Sequence, residues 1–298
     1  MAAARRFTRE NLEGYLFVTP AVTVLIVFLL APAIWVFGLS LYHWDLIAQN
    51  PDYVGLANYD RLLNRDDLFR QALVQTVYYV AGTVPTGIAL GLFIAVILNK
   101  RMPLRNAMRG AIFTPYVMPL VATVLIWAFM FNPDSGVLNA VLHFFHIPPV
   151  RWLGDPRAIM PAIILYSLWQ HTGFNAVIFL AGLAGIPTEM EEAARVDGAN
   201  SWQVFWRVTW PMLTPTTYFV LLISLIGSFK VVQQIIVFTG GGGGPDRAAE
   251  TIGLYLYEKA FVSFQAGYAG AISVVLFVII LAITGLQMRL TSHRVFYR

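Results

Sequence analysis

Polar side chains standing inside long greasy stretches are the first residues in this sequence with chemistry to offer. Lys230 lies in an apolar stretch with no other charge. Gln233 and Gln234 follow it at i+3 and i+4, which on a continuous helix makes one polar face. Gln170 and His171 fall near the middle of the uncharged run 158–188, with Asn175 one turn beyond His171 and Tyr166 and Trp169 about one turn before. An ionisable group at membrane depth costs on the order of 2.5–3.5 kcal/mol by insertion scales, so Lys230 is a candidate for function. Amides bond hydroxyls and aromatic rings stack on pyranose faces, a combination that suits a sugar path. The alternative is helix–helix hydrogen bonding, with Lys230 extending its stem toward the membrane surface. His171 reads as a satisfied helix contact. No second His or carboxylate stands beside it at helical spacing, so the stretch offers no metal site. The chain has no Cys, which excludes disulfides, thiolate metal sites and cysteine nucleophiles.

The second constellation is the charged insert "EEAARVDGANSWQVFWRVTWP" at 191–211. Thr188 and Glu191 have capping-box spacing, and Pro187 suits a helix start. A short helix is expected to run to Val196 or Asp197, ended by Gly198 at positive φ. Asn200 or Ser201 can cap a second helix, with Pro211 expected to limit it. On that helix Trp202, Phe205, Trp206 and Thr209 share one face. A helix–turn–helix of this kind either rests on lipid headgroups or offers a helix to a groove on another protein.

The elements that position these residues are read from composition. Of 298 residues, 58% are hydrophobic and 12% charged, against about 25% charged in ordinary soluble domains. Six runs lack Asp, Glu, Lys and Arg: 14–44, 71–99, 110–133, 158–188, 208–229 and 260–288. Each exceeds the roughly 18–20 residues a helix needs to cross a bilayer. The expected fold class is an all-α membrane protein, one transmembrane domain over 1–298. Its spans are placed at 15–41, 72–98, 110–131, 158–184, 213–237 and 267–289, with the insert at 185–212. The run 135–150 holds Pro148 and Pro149 and reads as a loop. The first run is too long for a signal-peptide core of about 7–15 residues and reads as an uncleaved span. Gly87 and Gly91 are spaced for close helix packing.

Six spans put both termini on one side. That side carries Arg5, Arg6, Arg9, Lys100, Arg101, Arg105, Arg109, Arg195, Arg207, Arg289, Arg294 and Arg298. The other carries Arg61, Arg65, Arg70, Arg151, Arg157, Arg247 and Lys259. The positive-inside rule therefore predicts cytoplasmic termini and a cytoplasmic insert. These anchors account for the pI of 9.4 without nucleic acid.

The insert also carries a resemblance. Glu192-Ala193-Ala194, three residues, Gly198, nine residues, Val208, one residue, then Trp210 and Pro211 is similar to the signature loop of bacterial ABC importer permeases, which usually place Ile and Leu where Val208 and Trp210 stand. "YVGLANYDRLL" and "SFKVVQQIIVFTGGGGGPDRAAETIGLYLYEKAF" resemble regions of the carbohydrate-uptake group, of the type similar to the maltose importer's larger permease subunit in its compact six-span form. The resemblance covers nearly the whole chain. It implies a type I importer permease in the bacterial inner membrane, paired with a second homologous permease. It further implies two cytoplasmic ATPase subunits and an extracytoplasmic binding protein that delivers a di- or oligosaccharide or a related polyol or glycerol phosphate. On this resemblance Gly198 permits the turn, Ala193 and Ala194 allow close approach, and Glu192 supplies a polar contact to the ATPase.

ATP and Mg²⁺ are expected on those partners. A Walker A loop needs Gly-Lys followed by Ser or Thr, and Lys100, Lys230 and Lys259 follow Asn, Phe and Glu. The run Gly240–Gly244 precedes Pro245 and Asp246 and reads as an outer turn. Two alternatives stand. An ion-driven secondary transporter would normally show intramembrane carboxylates or discontinuous helices around an ion site, and the six runs hold no Asp or Glu. A membrane enzyme would need a nucleophile–base pair or metal cluster at depth, and none is found.

Overall fold

A computed structural model describes residues 9–45, 50–100 and 102–291. Arg5, Arg6, Arg101, Arg294 and Arg298 of the charge argument lie outside the described residues, as does the side chain of Arg9. Helices long and apolar enough to cross a membrane occupy Glu13–Leu39, Asp67–Asn99, Ile159–Ala184, Ser201–Phe229 and Ala266–Arg289. A sixth is made by Arg105–Val117 and Leu120–Met130 if that bent pair is one span. They are called spans one, two, four, five, six and three respectively. The chain divides into two compact units, one running to Arg65 and taking in Lys259–Val275, the other covering Asp66–Glu258 and continuing from Leu276.

In the first unit, span one buries none of its apolar window, as a lipid-facing helix would. Its end is stapled by the "GLANY" motif. Gly55 turns the chain at φ +57°, Tyr42–His43 pairs antiparallel with Asp52–Tyr53, and Asn58 Nδ2 donates to the carbonyls of Ser40 and Tyr42, each at 2.9 Å. The Ser40 and Tyr59 hydroxyls lie 2.6 Å apart. Asn58 is buried, so its two hydrogen bonds satisfy carbonyls that water cannot reach.

The second unit is built on spans two and four. Gly91 sits where a Cβ would come within 2.7 Å of the Asn175 Cβ, and Gly173 meets the Ile112 carbonyl of span three closely enough to exclude any side chain. The core joins Tyr79, Trp127, Phe131, Ile163, Tyr166, Ile235 and Phe238.

Three expected elements are corrected. Span three is not one straight helix over 110–131, because the pair bends by 95° at Met118–Pro119. Pro119 has no N–H for the ladder and pushes Met118 to ψ 147°. Span five does not run to 237. It ends at Phe229, and a separate helix covers Gln233–Thr239. The interval 135–150 is not all loop, since Val137–Phe144 is a helix pinned by Asn139, which bonds Pro133, Val150 and Trp152.

Candidate functional site: a cavity at a broken helix and an exposed insert

The break after Phe229 builds the site. Lys230 caps span five with φ −99°, and Val232 leaves helical geometry at φ −143°. The Thr251 hydroxyl donates to the carbonyl of Val231 at 2.9 Å. Gly253 makes room for the break, because a Cβ there would stand 2.8 Å from that same carbonyl oxygen. Unwound backbone at the outer end of a span is tolerated where protein satisfies it or where it lines a cavity.

Here it does both. A cavity of about 880 Å³ opens against the break, between spans two, four and five. Gln170, His171 and Asn175 of span four line it, with Lys230, Gln233 and Gln234 from the break. Thr83, Ser224 and Ser228 add hydroxyls. Lys230 is exposed to the cavity and makes no ion pair among the described residues. Because the helix ends at Phe229, Lys230 and the two glutamines do not form the continuous polar face expected from their spacing. They meet around a bend instead.

The roles of these groups separate. Gln234 is buried, and its Nε2 donates to Tyr79 Oη at 3.2 Å. Tyr79 in turn donates to Ser167 Oγ at 2.9 Å, and Ser167 to the Ile163 carbonyl. This chain ties the break to spans two and four, so Gln234 makes a helix–helix contact while also lining the cavity. His171 Nδ1 lies 3.0 Å from the Ser167 carbonyl and the ring meets Tyr116 edge-on, a satisfied contact that also borders the cavity. Gln170 is different. It is 5% exposed, lines the cavity, and its Oε1 has no hydrogen-bond partner. That oxygen is closed off from the cavity as it stands, so a solute hydroxyl or N–H reaches it once the side chain turns.

Tyr166 and Trp169 do not line the cavity. Tyr166 is fully buried with its hydroxyl 2.9 Å from Thr123 Oγ1, and Trp169 packs on Trp127 with ring centroids 5.5 Å apart. They stand on the side of span four that meets Leu120–Met130. Trp169, one residue before Gln170, stands about 100° away around the helix, whereas Tyr166, four residues before, shares its face but has its hydroxyl committed to Thr123.

The insert forms as two helices. The first covers Thr188–Val196, and Gly198 turns the chain at φ +86° with open space around it. The capping box is not at Thr188 and Glu191. It is at Asn200 and Gln203, whose side chains and backbone N–H groups exchange two bonds of 2.9 Å. Glu191 is engaged elsewhere: Thr209 Oγ1 donates to its Oε1 at 3.0 Å, and Arg195 pairs with its other oxygen at 3.6 Å. Nor does Pro211 end the second helix, which runs unbroken from Ser201 to Phe229 as span five. A π-helical turn at Phe205–Thr209, with Trp210 N–H bonded to the Phe205 carbonyl, widens the turn just before the proline. Glu192 and Ala193 are exposed, and Ala194 and Val208 are half-buried. Thr209 bonds back to the first helix rather than completing an outward face.

A third feature was not anticipated from the sequence. Beyond the Gly-rich turn, Arg247 Nη1 donates to Glu250 at 2.8 Å and to Glu258 at 2.9 Å. Its bond to Glu258 first of all, and its pairing with Glu250, hold the guanidinium well above its usual range. Burial pushes the Glu250 carboxyl above the usual carboxylate range, with Arg247 pulling the other way.

Apolar helices of spanning length, a polar-lined cavity at a broken span, and an exposed helical insert together define a polytopic membrane permease of the type I importer fold. No group of three or more metal-ligating side chains occurs among the described residues, and no Asp or Glu lines the cavity. The chain belongs to the binding-protein-dependent transport system inner membrane component family, whose model matches residues 87–296. It is 36% identical to the probable ABC transporter permease protein YesP of Bacillus subtilis, over 100% of this chain and 96% of that protein. It is 32% identical to the trehalose/maltose transport system permease protein MalF of Thermococcus litoralis, over 96% of each. In fold it is similar to a chain of the bacterial alginate ABC transporter solved with an alginate pentasaccharide-bound periplasmic protein. The TM-score is 0.79 at 20% identity, covering 95% of both chains. The chain is thus an ABC-transporter permease component of the inner membrane, and the ion-driven alternative finds no support.

Proposed function

We propose that this chain forms one half of the translocation path of an ATP-driven sugar importer, with a second homologous permease supplying the other half. The carrying observation is the cavity. Its volume of about 880 Å³ lies in the usual range for small-molecule sites, roughly 300–1,000 Å³. Its lining is rich in amides and hydroxyls, and Gln170 beside it holds a buried acceptor without a hydrogen-bond partner. Those groups suit a poly-hydroxylated solute of di- or oligosaccharide size. The relative from Thermococcus litoralis, a trehalose/maltose permease by name, supports the same class. Lys230 adds one positive charge, which tolerates an anionic substituent, so glycerol phosphates stay within the class.

Motion is driven from outside the chain. Both termini and the insert face the cytoplasm, where Thr188–Val196 docks on an ATPase subunit. Ala193 permits close approach, Glu192 provides a polar contact and Gly198 the turn. Ala194, Val208, Trp210 and Pro211 shape the base of the insert. ATP and Mg²⁺ are held by two ATPase subunits, and an extracytoplasmic binding protein delivers the sugar. When the ATPases close, the Thr209–Glu191 hydrogen bond carries the displacement of the first insert helix into span five, on which the broken end of the cavity hangs.

The test is reconstitution of the purified complex in proteoliposomes with its binding protein and a labelled disaccharide. Uptake that requires ATP supports the reading. Uptake driven by an ion gradient without ATP would overturn it.

A further inference from the structure

The insert's second helix carries an aromatic ladder of which the docking role uses only Trp210. Trp202 and Trp206 meet with ring centroids 5.6 Å apart, and Trp206 and Trp210 at 5.8 Å. Trp202 is 70% exposed and Trp206 46%. Thr209 and Leu213, on the packed side of the same helix, are buried. Phe219, Ile223 and Ser224 line the cavity. Trp210 precedes Phe219 by nine residues, which is about two and a half turns, so the two stand on opposite sides of span five. The ladder therefore faces away from the cavity, and away from the side on which a second permease would complete it.

Length fits the ladder to one depth once the break after Phe229 is set at the outer edge of the hydrocarbon core. Trp210–Phe229 has 20 residues. At about 1.5 Å per residue this is about 30 Å, the thickness of the hydrocarbon core. With that segment in the core, Trp210 stands at the core boundary and Trp206 about 6 Å beyond it, inside the headgroup layer. Trp202, about 12 Å out along the axis, lies beyond that layer, about 5–8 Å deep, and comes back to its outer margin where the helix tilts toward the membrane plane. Arg207 is exposed next to Trp206 and brings a guanidinium to the depth of lipid phosphates. Indole rings collect at this interface because they have an apolar body and one N–H donor.

We propose that Trp202, Trp206 and Trp210 seat the insert's second helix in the lipid headgroup layer, with Arg207 on a lipid phosphate. The membrane then fixes the depth and tilt of the helix from which the docking helix projects. The proposal rests on span five crossing the membrane, not on the identity of the solute or on ATPase docking.

The chain has no Cys, so a single probe can be placed by Trp206→Cys, with Trp202→Cys as a second position should the first fail to assemble. Val196→Cys, on a residue 87% exposed in the first insert helix, is the solvent reference, read after the ATPases are stripped because the docking helix is covered in the full complex. The complex, its partners' reactive cysteines replaced, is labelled with an environment-sensitive fluorophore and placed in phospholipid nanodiscs. At 206 the expected result is blue-shifted emission, strong loss of intensity with a doxyl group near the lipid headgroup, and little loss with aqueous iodide. At 196 the pattern should invert. Three outcomes would overturn the proposal. Iodide quenching at 206 without lipid quenching makes the ladder a solvent face. Quenching only by a doxyl group deep in the acyl chain places it in the core. Protection from both quenchers that disappears when the ATPases are stripped makes it a protein contact.

Discussion

Replacing Thr209 by Val removes the one hydroxyl that joins the two halves of the insert and keeps the side chain's size. Thr209 is 5% exposed, and its Oγ1 lies 3.0 Å from Glu191 Oε1. Hydrogen bonds to charged groups contribute about 1.5–3 kcal/mol. The Glu191 side chain is 31% exposed and shared with Arg195, so the lower end applies, about 1–1.5 kcal/mol. That is roughly a tenfold shift in how often the first insert helix is held against span five. The expected phenotype is uncoupling rather than disassembly. Thr209→Val keeps its ATPase subunits on copurification, while the ATP hydrolysed per sugar transported in proteoliposomes rises by up to about tenfold. Glu191→Gln has a similar effect, and the double variant is less than additive because both act on one bond. A Thr209→Val complex with the wild-type ratio of hydrolysis to uptake would refute the reasoning. Strict additivity of the two variants would also count against it.

Three further outcomes follow from the geometry. Gln170→Leu should leave the melting temperature of the purified complex nearly unchanged, since the lost acceptor has no partner, while sugar uptake falls; a destabilised protein with normal uptake would make Gln170 a structural residue. Asn58→Ala strands the carbonyls of Ser40 and Tyr42 and should cost about 1–3 kcal/mol, read as faster proteolysis near residues 40–58, with uptake per folded molecule retained. Arg247→Ala leaves Glu250, 1% exposed, without its cation, and should cost about 3–5 kcal/mol at neutral pH. Burial already raises the Glu250 carboxyl, and a carboxyl raised in the folded state loses stability as pH rises through its value. The Arg247→Ala deficit should therefore shrink as pH falls, and a deficit that grew in acid would contradict this account of the cluster.

How much of this was legible in the sequence depends on whether a feature is local. The uncharged runs located the five helices of spanning length and the bent pair, because crossing a bilayer sets a minimum apolar length that composition reveals directly. Gly198 was legible because only a turn at positive φ requires a glycine there. The break after Phe229 was not, because its supports lie about twenty residues later: the Thr251 hydroxyl on the Val231 carbonyl and the missing side chain of Gly253. Proline alone did not reveal bends. Pro85 and Pro115 sit inside continuous helices, Pro211 is accommodated by a π-helical turn, and only Pro119 coincides with the 95° bend. The capping box expected at Thr188 lost Glu191 to Thr209, a tertiary partner eighteen residues away that spacing cannot show. Tyr166 and Trp169 were chosen for type and nearness along span four, and packing against Trp127 and Thr123 turned them away from the cavity. The Arg247 cluster had a signal, Arg247, Glu250 and Glu258 within the twelve residues 247–258 that follow the Gly-rich turn, but nothing in it fixed the pairing.

The account turns on the insert being the contact to an ATP-hydrolysing partner, and copurification tests this most directly. The chain is tagged and extracted gently from native membranes, wild type beside Gly198→Arg. Open space surrounds Gly198, so the arginine itself meets no clash within this chain, and the strain of a non-glycine residue at φ +86° is on the order of 1–2 kcal/mol. The prediction is that wild type brings down a second six-span permease and an ATPase carrying a Walker A motif, and that Gly198→Arg keeps the permease and loses the ATPase. A wild-type chain that comes out alone, or a variant that retains its ATPase in full, would contradict the central claim.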